Sequence, residues 1–157
     1  MNYLWIQKSN KIEYENSAKA SGLRLKFYSD IYVRDKQLCL NFCNYLRKNY
    51  FFPIRVYISF VAQDKFKDPV DGHIYYGIFY PNNECQRKIY PRIFIAAKTY
   101  NKYDEYNLLL TIAHELSHYY QWYFFEDEKR TDRSLEIEAN KWAKYLVDIF
   151  ETRFEDD

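Results

Sequence analysis

The chain has 157 residues, with 23 basic side chains against 22 acidic ones and a net charge of +1. That length suits one domain able to bury about two-thirds of its unfolded surface. The charges are interspersed and the pair Arg47-Lys48 is too short to make a basic footprint, so no nucleic-acid partner is expected. No run of about eighteen apolar residues occurs and Met1 to Ser9 has no signal-length apolar core, so no membrane partner is expected either.

Cys39, Cys43 and Cys85 are odd in number and form no Cys-x-x-Cys pair, which fits free thiols in a reducing cytoplasm. Cys39 and Cys43, four apart, read as small buried side chains. Aromatic residues make up 21% of the chain, 18 of them tyrosines. A compositional bias toward Tyr, Asn, Lys and Ile accounts for that excess, and a tyrosine-rich partner surface is the sharper alternative.

In chain order, residues 1–22 are polar and mixed and read as a loose arm before a single domain over 23–157. Asp35 to Tyr50 carries Leu38, Phe42, Tyr45 and Leu46 at helical intervals, with Asp35 or the residues just before it placed to cap its start, and Phe52-Pro53 ends it. Ile54 to Phe60 alternates with period two and is rich in β-branched and aromatic residues, as a half-buried strand requires. Gln63 to Gly72 reads as a loop. His73 to Tyr80 is the second strand, closed by Pro81-Asn82-Asn83, and Arg92 to Ala96 is the third. Asp104 is placed to cap a long helix to Phe125. Ser134 to Phe150 is the last helix, its apolar stripe read as Leu135, Ala139, Trp142, Leu146 and Ile149. The order predicts an α+β domain: an N-terminal helix, a three-stranded mixed or antiparallel sheet, and two further helices on one face.

The long helix carries His114-Glu115-Leu116-Ser117-His118. Residues four apart share a helix face, so His114 and His118 can donate two nitrogens to one ion. Glu115, about 100° away, is then placed to act as general base on a water. Chance would produce such a string on the order of a few times per thousand chains of this composition, so a third ligand is what gives it weight. The remaining histidine, His73, lies upstream, which leaves a carboxylate after the motif. Glu138 falls inside the stripe of the last helix, where an unpaired carboxylate is costly and a divalent cation would compensate it. Glu136 falls on the opposite side and reads as solvated. The expected metal ligands are therefore His114, His118 and Glu138.

His114-Glu-x-x-His118 followed, twenty residues after the second His, by Glu138-Ala139-Asn140 resembles the gluzincin zinc peptidases. Within them, Glu-x-Glu-Ala-Asn-x-x-Ala (Glu136 to Ala143) most resembles the ImmA/IrrE family, over roughly residues 109–148. The resemblance implies a small zincin-like scaffold, a Zn²⁺ ion on two His and one Glu, and proteolysis of an intracellular protein, in some members a transcriptional repressor. No DNA-binding or sensor domain is expected within these 157 residues.

In that reading Glu115 moves the proton from water to leaving amine, and the oxyanion needs one protein donor besides the metal. His73, Tyr119, Tyr120 and Tyr123 are the candidates for that donor, with Tyr119 on the side of Glu115. Each has a plain alternative, Tyr119 as core and His73 as a surface residue at a strand start. Asn140, Asp132 and Asp148 are candidates for orienting an imidazole. The strand Arg92 to Ala97 is a candidate edge for an extended substrate, or simply an internal strand. A catalytically silent zinc-binding interaction or inhibitory module is the alternative to an enzyme; oligomeric state is not legible.

Overall fold

A computed structural model describes residues 4–7, 22–81, 90–126 and 128–155. Its elements are β1 (Leu23–Phe27), α1 (Val33–Asn49), β2 (Val56–Val61), β3 (Phe66–Lys67), β4 (Ile74–Tyr75), β5 (Gly77–Tyr80), β6 (Arg92–Ala96), α2 (Lys102–Phe125) and α3 (Asp132–Glu155). The mixed α and β content agrees with the expected class. The sheet differs: it has four strands in the order β1-β2-β6-β5, and β3 and β4 form a separate two-stranded hairpin. β1, β2 and β6 run parallel, and β5 returns antiparallel to β6.

Two differences have identifiable causes. β1 was missed because Leu-Arg-Leu-Lys-Phe, though alternating, follows a polar stretch read as an arm; its exposed and less exposed positions do alternate along the strand. The span His73 to Tyr80 is two strands in two sheets, because Tyr76 breaks the pairing. Ala96 N donates to the Tyr76 carbonyl at 2.9 Å, and only beyond that point does β5 join β6. In the β3–β4 turn Gly72 has φ +73, the left-handed region that favours glycine.

Within the span read as a loose arm, residues 4–7 are described and packed. Leu4 and Trp5 are buried, Trp5 packs on Tyr50, Phe52 and Tyr120, and Phe51 N donates to the Ile6 carbonyl. Trp5 Nε1–H donates at 2.9 Å to Ser117 Oγ, which itself donates to the Ala113 carbonyl. This segment therefore sits against the middle of α2. Residues 8–21 lie outside the described residues, as do Asn82, Asn83 and Cys85.

One core joins these elements: Phe42 and Leu46 from α1, Ile58, Phe60, Ile93 and Ile95 from the sheet, Leu109, Ile112 and Leu116 from α2, Leu146, Val147 and Phe150 from α3. α2 is enclosed by the sheet, α1, α3 and the N-terminal segment, so it buries residues around much of its circumference. Its start is fixed by Asn101, whose side chain accepts from Asp104 N at 2.9 Å, while the Asp104 carboxylate accepts from Tyr100 N. The cap is thus Asn101, with Asp104 as its reciprocal partner. Asp35 likewise does not cap α1. Fully buried, it accepts from the Thr99 backbone N–H at 3.1 Å and from the Thr99 hydroxyl, tying α1 to the segment leading into α2.

Cys39 and Cys43 are buried thiols whose pKa values burial pushes up, that of Cys43 to about 12. Among the described residues no helix is long and apolar enough to cross a membrane.

Trp5→Ala is expected to cost about 3–5 kcal/mol in denaturant unfolding, from loss of a large buried ring. Trp5→Phe, which removes the donor to Ser117, is expected to cost less. A Trp5→Ala protein as stable as the wild type would show that this segment is not part of the core.

Candidate metal centre

His114 and His118 lie one turn apart on α2, and their Nε2 atoms point to the same place, 3.1 Å from each other. The third group there is Glu136 of α3. Its Oε2 lies 3.1 Å from His114 Nε2 and its Oε1 2.8 Å from His118 Nε2. These three residues are the one set of three or more potential metal-binding groups among the described residues, with ligand atoms all within 4.8 Å of one another.

Glu138, expected as the third ligand, is turned away. Its Oε1 accepts from Arg130 Nη1 at 2.8 Å and Gln121 Nε2 at 2.9 Å, so its charge is already matched. The reason is the phase of α3. The buried face is Ala139, Ala143, Leu146, Val147 and Phe150, rather than the stripe through Leu135, Trp142 and Ile149, a rotation of roughly 60° on a 3.6-residue helix. In the corrected phase Glu136 lies close to the centre of the face turned toward α2, and Glu138 well off it. The small residues Ala139 and Ala143 were the available signal, since they let α3 come close to α2 just past Glu136.

The hydrogen bonds around His118 fix the character of the site. Gln121 directs its Nε2 to the Leu135 carbonyl and to Glu138, which leaves its Oε1 facing His118 Nδ1 at 2.7 Å. An amide oxygen accepts, so Nδ1 carries a proton, and Nε2 is the nitrogen His118 turns toward Glu136 and His114. A lone pair 2.8 Å from a carboxylate oxygen is repulsive unless a cation or a proton lies between them. Asn140 lines the cleft with His114, and its side chain favours the charged form of that imidazole. Asn140 was one of three orienting candidates beside a plainer solvent-facing role; Gln121, buried one turn beyond the motif, was missed.

The donor set suits a divalent ion. Two imidazole nitrogens and a carboxylate oxygen are borderline ligands typical of zinc, and tetrahedral bonds of about 2.0–2.2 Å hold ligand atoms roughly 3.3–3.5 Å apart. The two Nε2 atoms, 3.1 Å apart, need to open by only a few tenths of an ångström, and His118 Nε2 and the Glu136 oxygen facing it at 2.8 Å by about 0.5–0.7 Å. The imidazoles are half-buried while Glu136 is exposed on the open side, giving both a desolvated base and access to solvent.

Glu115 does not join the cluster but lies next to it, 8% exposed. Burial pushes its carboxyl up to about 7; the proximity of His118 opposes the shift and that of Glu136 adds to it. His114 is pushed down by burial and by His118. Glu115 is held by β5: a Cβ on Gly77 would come within 2.7 Å of Thr111 Cγ2 and 3.0 Å of Glu115 Cγ, so the strand can close on the motif helix only with glycine there.

Two depressions meet at the site. One, about 1150 Å³, is lined by Gly77, Thr111, His114, Glu115, Glu136 and Asn140, with His73 and several tyrosines at its far wall. The other, about 520 Å³, runs along the C-terminal half of α2 past His118, Phe79, Trp122 and Phe125. His73 thus reaches the larger cleft, as an exposed residue at the end of the β3–β4 turn. Tyr119 does not: it is fully buried, its hydroxyl donating to the Ile54 carbonyl and accepting from Ile54 N at 3.0 Å, and its role is structural. Tyr120 is likewise core, and Asp148 accepts from Tyr106 and Lys144, away from the imidazoles. Comparison with known proteins finds no matching family model, no matching curated protein and no matching solved structure.

In the metal-free chain Glu115 has a folded pKa above its unfolded one. Its contribution to stability is therefore complete below about pH 4.5 and is lost as pH rises through 7. Metal-free Glu115→Gln is expected to be more stable than metal-free wild type at pH 8, by of order 3 kcal/mol, with the difference shrinking toward pH 5. Urea unfolding at the two pH values checks this; a difference independent of pH would contradict it.

Proposed function

We propose that this chain is a zinc-dependent endopeptidase acting on an intracellular protein, with a zincin-like arrangement of α2, α3 and the sheet. The observation that carries the reading is the convergence of His118 Nε2, its tautomer set by Gln121, with His114 Nε2 and the Glu136 carboxylate, beside a buried carboxylate outside the donor set. A cation held by those three groups would supply Lewis acidity to a water and to a substrate carbonyl.

The residues of the chain do the rest. Glu115, buried and near neutrality in pKa, accepts the proton of the attacking water and returns it to the leaving amine. Gln121, anchored by Glu138 and the Leu135 carbonyl, keeps His118 in the tautomer whose Nε2 can ligate. Arg130 holds Glu138 in place and so keeps that carboxylate from competing as a ligand.

Substrate would lie along β5. The strand first expected to take it, β6, is internal, hydrogen-bonded to β2 on one side and β5 on the other. β5 forms the end of the sheet and lines both depressions through Gly77, so an extended peptide added to it would cross the site between them. Main-chain pairing of that kind places a scissile bond without demanding a particular sequence. A silent zinc-binding module has no use for Glu115, whose burial as a carboxylate costs stability and serves no ligand role.

Glu115→Gln is expected to lower peptide hydrolysis by several orders of magnitude with zinc still bound at one ion per chain. Glu136→Ala is expected to lose zinc on dialysis, and Glu138→Ala to retain it with weakened affinity, about 10–100-fold, through Gln121. Zinc content by atomic absorption, alongside cleavage assays, checks both; retention by Glu136→Ala and loss by Glu138→Ala would return the third ligand to Glu138.

A further inference from the structure

The helices pack on one face of the four-stranded sheet, and no described element covers the other. Cross-strand register assembles on that open face a pattern that the sequence scatters. Arg24 pairs with Tyr57, Tyr57 with Arg92, and Arg92 with Tyr80, giving one row of alternating cations and rings across all four strands. The next row is Lys26, Ser59, Phe94 and Ile78. The aromatic residues Tyr57 and Phe94 stand on the two central strands as diagonal neighbours, since Phe94 is paired with Ser59.

Among the described strand residues the charge on this face has one sign. None of the residues of β1, β2, β5 or β6 is acidic. Among the described residues no ion pair uses Lys26, Arg55 or Arg92; each lies over a ring instead, Lys26 over Tyr28, Arg55 over Tyr90 and Arg92 over Tyr80, at 5.5, 5.2 and 5.0 Å from the ring centroids. Tyr57, Tyr80 and Tyr90 are about 40% exposed, and Tyr90 packs against Tyr57. Rings ordinarily bury themselves; here they are held at the surface as a platform by neighbouring cations.

We propose that this open sheet face binds single-stranded nucleic acid, with Tyr57 and Phe94 stacking on bases and Lys26, Arg55 and Arg92 meeting phosphates. Two aromatic side chains on the central strands of a four-stranded sheet, flanked by cations, supply what unpaired bases need: flat apolar surface for the ring and positive charge for the backbone. A duplex hides its ring faces and gains only the phosphate contacts. An acidic peptide matches the charge but leaves the rings unused, which is why the nucleic acid is the better fit. The sequence reading expected no such partner because the basic residues are separated along the chain and meet only through strand pairing. This face is distinct from the imidazole–carboxylate cluster, so the proposal does not depend on peptidase activity.

The test is fluorescence anisotropy of the full chain with a labelled twelve-nucleotide oligouridylate, its hybrid duplex and a polyglutamate peptide. The single strand is expected to bind with a dissociation constant of about 1–100 µM at low salt. Tyr57→Ala and Phe94→Ala should each weaken it about tenfold. Arg92→Ala, an exposed change that spares the core, should weaken binding and flatten the log–log salt dependence by about 0.7. Glu115→Gln should bind like the wild type. No binding at millimolar protein, equal affinity for the duplex or the polyglutamate, or indifference to both Tyr57→Ala and Phe94→Ala and to Arg92→Ala would overturn the proposal, with circular dichroism establishing that each variant is folded.

Discussion

Two imidazole nitrogens 3.1 Å apart, each facing a different oxygen of one carboxylate, govern the arrangement of this molecule. The imidazoles stand one turn apart on α2, and the carboxylate is that of Glu136 on α3. Without a cation or shared protons between them they repel, and the surrounding structure is what keeps them together. α3 must approach α2 closely, which Ala139 and Ala143 permit. His118 must not rotate, which Gln121 prevents. Gln121 must not flip, and its amide is fixed by the Leu135 carbonyl and by Glu138, itself paired with Arg130.

That chain of contacts gives Glu138 a role different from ligation but close to it. Removing a ligand takes away a bond, whereas removing Glu138 would loosen the hydrogen bonds that present a ligand. The same logic extends beneath the site. Ser117 lies between the two halves of the motif and accepts from Trp5, so the N-terminal segment supports α2 directly behind His114 and His118. Tyr119 and Tyr120 clamp the helix to the Ile54 and Phe51 carbonyls. In front, Gly77 lets β5 close over Glu115. The helix is thus fixed from both sides, with its chemical groups confined to the strip between β5 and α3.

The sequence was informative where one element determined the outcome. His114, Glu115 and His118 depend only on helical spacing, and α1, β2, β6 and α2 follow from periodicity and breakers over their own residues. It misled where the answer lay between elements. The third carboxylate depended on the rotation of α3, and Glu136 and Glu138 are separated by about 200°, so a stripe misjudged by roughly 60° exchanged them. Leu135 and Trp142 supported the wrong phase because both are half-buried at its margin. Strand order was equally hidden: nothing in Gly77 to Tyr80 shows that it lies outside β6 and takes the edge position. The environment of Tyr119 was set by the Ile54 backbone, 65 positions away.

The most direct measurement is a crystal structure of the zinc-loaded chain with anomalous diffraction recorded on either side of the zinc edge. One strong anomalous peak is expected, bonded to Nε2 of His114, Nε2 of His118 and the Glu136 carboxylate, with His118 Nδ1 still hydrogen-bonded to Gln121. A peak coordinated by Glu138, or no peak between the two imidazoles, would contradict that assignment.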